Sequence, residues 1–249
     1  MRILCAVKRV PITGGKMVLT PDEQAIETKH LGFTISPHEE CGVEEAVRIV
    51  EAQGGEVVAL TLGPAEAEEQ LRECMALGAD RAIHLTSDEE WDAQATAGAL
   101  VEAIRSEEPF DLYVFGNESA DAGNYQVGIR VAYALGLPVV TGLKGLTVAD
   151  GRARCEQEVA AGRDVYDVAL PAVVTVKEGL NLPRYPSVPA KLRANRKPVD
   201  ARPVERPAPK LVKLRLVVPE GQGNQAEILG RGPDAAPAVV EVMQKLGVA

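Results

Sequence analysis

Short, unbroken apolar runs alternate with amphipathic stretches through the first two-thirds of the chain, and this narrows the possible folds more than any other feature. The runs Ile3–Val7 (ILCAV), Val57–Leu62 (VVALTL), Ala82–Leu85 (AIHL), Leu112–Phe115 (LYVF) and Pro138–Thr141 (PVVT) are too short to be buried helices and lack a polar face. They read as strands covered on both sides. Between them, Val43, Ala46, Val47 and Val50 follow helical spacing until Gly54-Gly55. Leu71, Cys74 and Met75 do so until Gly78, and Ala99, Leu100, Ala103 and Ile104 share another face. A further helical stretch, NYQVGIRVAYALG, stops at Gly136. Strand–helix alternation of this kind gives right-handed crossovers and an α/β fold, a parallel sheet with helices on both faces.

After Thr141 the pattern changes. Asp150-Gly151 and Ala161-Gly162 punctuate alternating segments, which predicts a small antiparallel excursion over 144–168. Leu170–Val176 (LPAVVTV) returns as a buried strand. Prolines 183, 186 and 189 then recur at every third position, holding Tyr185 and Val188 between them, and a cation cluster follows. Nothing in this stretch looks like the start of a packed helix, so 183–209 is expected to run extended over a surface. A terminal helix begins near Ala236. The expected division is a nucleotide-binding domain over 1–182 and a recognition loop with a C-terminal arm over 183–249.

Charge is unevenly spread. Residues 184–215 hold ten Lys/Arg against two Asp/Glu, a local +8, so the net −9 leaves −17 on the remainder. Seven prolines and one aromatic between Pro183 and Pro209 are poor material for a recognition helix or a stacking platform. Nucleic acid is therefore disfavoured and an acidic protein partner fits better. Four dispersed cysteines without C-x-x-C indicate reduced core residues and a cytoplasmic protein. Three scattered histidines offer no metal site. No apolar run approaches the roughly 20 residues a bilayer requires, so direct membrane insertion is not expected.

In open parallel sheets ligands bind beyond the carboxyl ends of the strands, where strand order reverses. AVKRVP after the first strand, SPHEE at the entry to the first long helix, and GNESADAGNYQVG (Gly116–Gly128) should meet there. The last leads from a strand into a helix, whose free amides and dipole favour a phosphate. The alternative is an ordinary connecting loop capped by Asn124. There is no G-x-G-x-x-G after the first strand and no G-x-x-x-x-G-K-[ST], which disfavours a dinucleotide fold and P-loop hydrolysis. No catalytic triad is suggested, and His84 is expected in the core. The chain is built to bind rather than to catalyse.

Taken together, AVKRVP, VEEAVRI, LGPAEAEEQLRECMALGADRAIHL, QVGIRVAYALGLPVVT and above all LPAVVTVKEGLNLPRYPSVP resemble the beta subunit of electron transfer flavoprotein. The resemblance runs through nearly the whole chain and is weakest after about Lys213. It implies a Rossmann-like, adenine-nucleotide-binding domain holding a structural AMP. The partner would be an alpha subunit that carries FAD. The heterodimer would collect electrons from acyl-CoA and related dehydrogenases, as in fatty acid oxidation, and pass them to a membrane quinone oxidoreductase.

By resemblance the AMP site falls on Ala6, on Ser36, Pro37, His38 and Glu39, and on Leu62. It continues over Asp121, Ala122, Gly123, Asn124, Tyr125, Gln126, Val127, Gly128, Ile129, Arg130 and Val131. Where the family often has D-G-D-T-G-Q-V-G this chain has DAGNYQVG, which removes some side-chain contacts but leaves the backbone amides and Gln126. Thr13 occupies the place of a flavin-facing Tyr in some relatives. The family's recognition loop maps onto RYPSVPAKLRANRK. There Tyr185 and Val188 would form the apolar tip, with Val188 the plug, and Lys191, Arg193, Arg196 and Lys197 would steer towards acidic partners. The competing readings are a loop that merely clamps the alpha subunit, a bifurcating-type subunit with a second FAD in place of AMP, and a stand-alone ATP-binding enzyme of related fold.

Overall fold

The computed structural model describes residues 1–12, 17–219 and 227–248. In chain order it comprises β1 (Arg2–Ala6), β2 (Arg9–Pro11), β3 (Phe33–Ile35), α1 (Pro37–Gln53), β4 (Glu56–Gly63), α2 (Glu68–Leu77) and β5 (Arg81–Thr86). Then follow α3 (Ala93–Arg105), β6 (Leu112–Gly116), α4 (Val127–Leu135), β7 (Val139–Ala149), β8 (Arg152–Val159), β9 (Gly162–Ala169) and β10 (Ala172–Val176). Last come α5 (Val188–Ala194), β11 (Val199–Pro203) and α6 (Ala236–Leu246).

Among the described residues the main sheet has nine strands in the order β11-β5-β4-β1-β6-β10-β7-β8-β9. All neighbours from β11 to β7 are parallel, and β7, β8 and β9 are antiparallel. This is the expected α/β class. Side chains of β1 alternate between two cores. Ile3, Cys5 and Val7 join Val43, Val47, Leu71 and Met75 beneath α1 and α2. Leu4 and Ala6 join Leu100, Val101, Ile104 and Val131 beneath α3 and α4. The continuous apolar runs of the sequence thus reflect helices on both faces. All four cysteines are free and buried, and His84 lies in the core.

The antiparallel excursion is not a separate layer. β7 pairs with β10 through its first residues, bends at Gly142 (φ +65°) where the register with β10 shifts, and continues as the partner of β8. Asp150 and Gly151, both with positive φ, make the tight turn that the sequence announced.

The region after Pro183 departs from expectation. Instead of running extended, the chain forms α5, which starts at Val188. Ser187 caps it, accepting a hydrogen bond from the Ala190 amide at 3.3 Å, and Pro189 stands in its first turn. Proline is tolerated there because the first helical amides need no acceptor within the helix. Ala194 is buried, and α5 packs on α2. β11 then adds to the sheet beside β5, so the sheet draws strands from both sides of the 182/183 boundary. The two-stranded β2–β3 ladder went unforeseen because three-residue strands leave no readable period.

Candidate functional site

Strand order reverses at β1, whose neighbours are β4 on one side and β6 on the other. The chain builds outward from β1 through β4 and β5, then returns to lay β6 against its opposite flank. The connections leaving β1 and β6 diverge there and open a crevice beyond the carboxyl ends of the strands. Ala6 ends β1, Leu62 is the penultimate residue of β4, Ser36–Glu39 open α1, and Asp121–Gln126 link β6 to α4.

Glu39 binds these pieces together. Its carboxylate, in a residue only 7% exposed, accepts the Lys8 amide at 2.9 Å and the Ser36 amide at 3.3 Å through Oε2. The second contact is the carboxylate half of a capping box on α1. Burial pushes the Glu39 carboxyl up to about 8, against the two amides and the Lys8 charge, which pull it down. Gly116, at the end of β6, has no room for a side chain. A Cβ there would lie 2.7 Å from Glu39 Cγ, so only glycine lets β6 and α1 approach this closely.

Lys8 spans the crevice. Its Nζ lies 2.6 Å from Asp121 Oδ2, joining the loop after β1 to the loop after β6. Burial alone would raise the Asp121 carboxyl, but the Lys8 charge and hydrogen bond hold it below its ordinary value. Asp121 Oδ1 also accepts the Ala122 amide at 2.7 Å.

The loop into α4 is tight. Gly123 and Tyr125 both adopt left-handed φ, +54° and +56°. At Tyr125 this costs about 1–2 kcal/mol relative to an ordinary conformation. Asn124 does not cap the helix. The N-cap is Gln126, whose side chain turns away to accept Arg130 Nε at 2.7 Å. Among the described residues no side chain caps the first amides of α4, which leaves them available as donors.

Gly128 has a packing reason of its own. A Cβ would stand 2.9 Å from Thr175 Cγ2 and 3.1 Å from Phe115 Cγ, so the glycine seats α4 directly on β6 and β10. Val131 is fully buried in the core beneath α4 rather than lining the crevice, while Ile129 is half-buried and Arg130 exposed. At the opposite wall, His38 Nδ1 is buried without a hydrogen-bond partner among the described residues, and burial lowers the histidine's pKa. Uncapped amides and a lysine at one crevice fit the phosphate of a nucleotide. Lys8 and Gly116 were missed as individual residues. Their only signal was position, immediately after strands that the apolar runs had already marked.

Of the residues expected to meet partners, Tyr185 is 99% exposed and Val188 72% exposed. Lys191, Arg193 and Arg196 are exposed as well. Lys197 is different. Its Nζ donates to the carbonyls of Met75 and Ala79, at 3.1 and 2.6 Å, neutralising the carboxyl end of α2. It is a structural cation rather than a steering one. Thr13 lies outside the described residues. The 177–187 segment is tied to α1: Asn181 Nδ2 donates to Cys41 O and Glu45 Oε2, both at 2.9 Å, and Arg184 pairs with Glu44 and Glu51.

Fold and crevice together define an open α/β protein with a crevice at the switch point and, packed on α2, an exposed, cationic, apolar-tipped helix. Residues 25–207 match the family model described as the electron transfer flavoprotein domain. The electron transfer flavoprotein subunit beta of Syntrophomonas wolfei is 36% identical over 200 residues, covering 80% of this chain and 78% of that protein. The subunit beta of Bacillus subtilis is 32% identical over 202 residues, with the same coverage. The caffeyl-CoA reductase-Etf complex subunit CarD of Acetobacterium woodii is 34% identical over 203 residues, covering 80% and 77%. The chain belongs to the electron transfer flavoprotein beta-subunit family. Among the described residues, no helix is long and apolar enough to cross a membrane.

Proposed function

We propose that this chain is the beta subunit of a heterodimeric electron transfer flavoprotein, an electron carrier of the cytoplasm that holds AMP in the β1/β6 crevice and supports an FAD-carrying alpha subunit. The observation that supports the reading is the switch-point crevice, where the Lys8–Asp121 pair joins the loop after β1 to the loop that leads into the uncapped start of α4. When bound in the partner subunit, FAD supplies the electron-carrying chemistry. The residues of this chain bind and position. The α4 amides and Lys8 would hold the nucleotide phosphate, Glu39 fixes the loop after β1 against α1, and Gly128 keeps α4 seated.

Unpartnered apolar surface supports the need for a second subunit. Leu211, Val212, Leu214, Ile228 and Leu246 are all more than 70% exposed, and no described residue of α6 is buried. An arm of this kind gains stability only by packing on a partner. The exposed Tyr185–Arg196 stretch would dock acyl-CoA-type dehydrogenases, with Val188 as anchor, and electrons would leave to a membrane quinone oxidoreductase.

The similarity to a subunit of a caffeyl-CoA reductase-Etf complex favours one further reading, the bifurcating type, in which a second FAD takes the place of AMP. The test is to denature the co-purified complex and identify the nucleotides released. One FAD and one AMP per heterodimer is the expected result. Two FAD would establish the bifurcating type, and a colourless, nucleotide-free complex would refute both.

A further inference from the structure

Glu39 is buried without a cation of its own. Glu44, also buried in α1, takes Arg48 and Arg184 at 2.5 and 2.9 Å. Among the described residues Glu39 makes no ion pair, and its Oε2 accepts only the backbone amides of Lys8 and Ser36. The ammonium nearby, that of Lys8, is committed to Asp121 at 2.6 Å. From the surrounding elements the Glu39 carboxyl feels Lys8 after β1, Asp121 after β6 and the Cys74 thiol of α2, while β6 itself presents the bare Gly116. Burial pushes Glu39 up to about 8. Burial also keeps Cys74 protonated, well above its ordinary range. At Asp121 burial is outweighed by Lys8, and the carboxylate stays ionised. His38, next to Glu39 in the chain, is lowered by burial against the charges of Glu118 and Glu178. Of these carboxyl, thiol and imidazole groups, Glu39 alone changes charge between about pH 7 and 9.

We propose that nucleotide and proton bind this crevice together, the arriving phosphate drawing one proton from solvent onto the Glu39 carboxylate. The inference deepens the nucleotide-binding reading above and rests on it. Lys8 is the shared element, for its amide donates to Glu39 while its ammonium spans the crevice to Asp121. A phosphate held by that ammonium and the α4 amides brings negative charge beside two carboxyls that share a single cation. Like charge favours the protonated form of whichever carboxyl is held least firmly. Asp121 keeps the Lys8 ammonium and the Ala122 amide at 2.7 Å, so Glu39 is the group that takes the proton. One O–H bond forms and no other bond changes. The protonated carboxyl still accepts the Lys8 and Ser36 amides through its carbonyl oxygen, so the loop after β1 stays against α1. A phosphate monoester, with its second pKa about 6, is already a dianion across this range.

Calorimetric titration of AMP into the complex of this chain with its flavin subunit, stripped of AMP beforehand, tests this. Repeating the titration in buffers of different ionisation heat counts the protons taken up. Wild type should take up most of one proton per AMP at about pH 9 and almost none at about pH 7, and its affinity should fall roughly five- to tenfold between them. Glu39→Gln, neutral at every pH, should take up none, and its affinity should change less than about twofold over the same range. A purely structural role for Glu39 would lower affinity equally at both pH values. AMP binding by wild type without proton uptake overturns this inference and leaves the nucleotide reading standing. Uptake that persists in Glu39→Gln assigns the proton to another group and overturns it as well. Should Glu39→Gln fail to fold, the wild-type proton count at the two pH values decides alone. A folded wild-type complex that binds no AMP at either pH removes the nucleotide reading, and this inference with it.

Discussion

Arg184 closes on Glu44. The guanidinium Nε lies 2.9 Å from a carboxylate oxygen whose side chain is 1% exposed, and the Arg184 backbone amide reaches the same oxygen at 3.2 Å. Arg48 holds the other oxygen at 2.5 Å. The root of the exposed loop is thereby fixed to the helix whose first turn forms one wall of the crevice.

Arg184→Ala should destabilise the chain by about 1–2 kcal/mol, below the usual cost of breaking a buried pair because Arg184 is partly solvated and Arg48 remains. Burial by itself would raise the Glu44 carboxyl, but the Arg184 hydrogen bonds outweigh it and hold the pKa below 4.5. The pair's contribution is therefore present above that value and disappears as pH falls through the folded-state pKa. Thermal melts should show the gap between wild type and variant closing under acid conditions. A gap independent of pH would mean that the ion pair contributes nothing.

Glu39 carries the opposite sign. With the folded-state pKa raised from 4.5 to about 8, the folded chain binds a proton that the unfolded chain releases across that window. Stability should fall as pH rises from 4.5 to 8 and then level off. Glu39→Gln keeps an oxygen for the Lys8 and Ser36 amides but cannot ionise, so its melting profile should be flatter over the same range.

Gly128→Ala forces contacts of 2.9 and 3.1 Å with Thr175 and Phe115. Overpacking of this kind costs about 1–3 kcal/mol. Raising α4 off the sheet also displaces the amides proposed to hold a phosphate. Melting temperature and AMP content of the co-purified complex should fall together, and Gly128→Val should exceed Gly128→Ala in both. Full AMP with lowered melting would separate the packing role from the nucleotide site.

Gly98 makes the contrast. It lies inside α3 with no described residue within 4 Å of where a Cβ would be, on the wall of a cavity of about 670 Å³ between α3 and the 202–210 segment. Gly98→Ala should stabilise the chain by up to about 1 kcal/mol, measured by denaturant unfolding, because alanine gives up less backbone entropy in a helix. Destabilisation would show that the open space is needed.

Val188→Ala removes two methyl-sized groups, roughly 1.6 kcal/mol if they are buried on docking, or about a tenfold loss of affinity. Steady-state electron transfer from a cognate dehydrogenase across partner concentrations measures it. Charge reversal at Lys191 or Arg193 should instead slow association and be masked by salt. Reversal at Lys197 should lower thermal stability, since its ammonium sits on the α2 carbonyls. If Val188→Ala leaves the transfer curve unchanged but splits the heterodimer, the loop is a subunit clamp.

The sequence by itself determined the central architecture. Ile3–Val7, Val57–Leu62, Ala82–Leu85, Leu112–Phe115 and Leu170–Val176 coincide with β1, β4, β5, β6 and β10 within a residue or two. Burial on both faces writes a run that a single strand already displays. Gly54, Gly78 and Gly136 stop their helices for an equally local reason, a positive φ that glycine adopts without strain. Tertiary structure decided what no local pattern encodes. Whether Asn124 or Gln126 caps α4 depends on how the loop leaves β6. Whether Lys197 is a free cation or a bond to α2 depends on where α5 packs. The Pro-rich stretch becomes a helix because Ser187 caps it and α2 receives Ala194, a contact between segments more than a hundred residues apart in the chain. Gly116 and Gly128 look alike in sequence, but each is required by a different close approach, one to α1 and the other to β6 and β10. Local propensity is carried by neighbouring residues, whereas caps, ion pairs and close packing depend on groups that meet only once the sheet has formed.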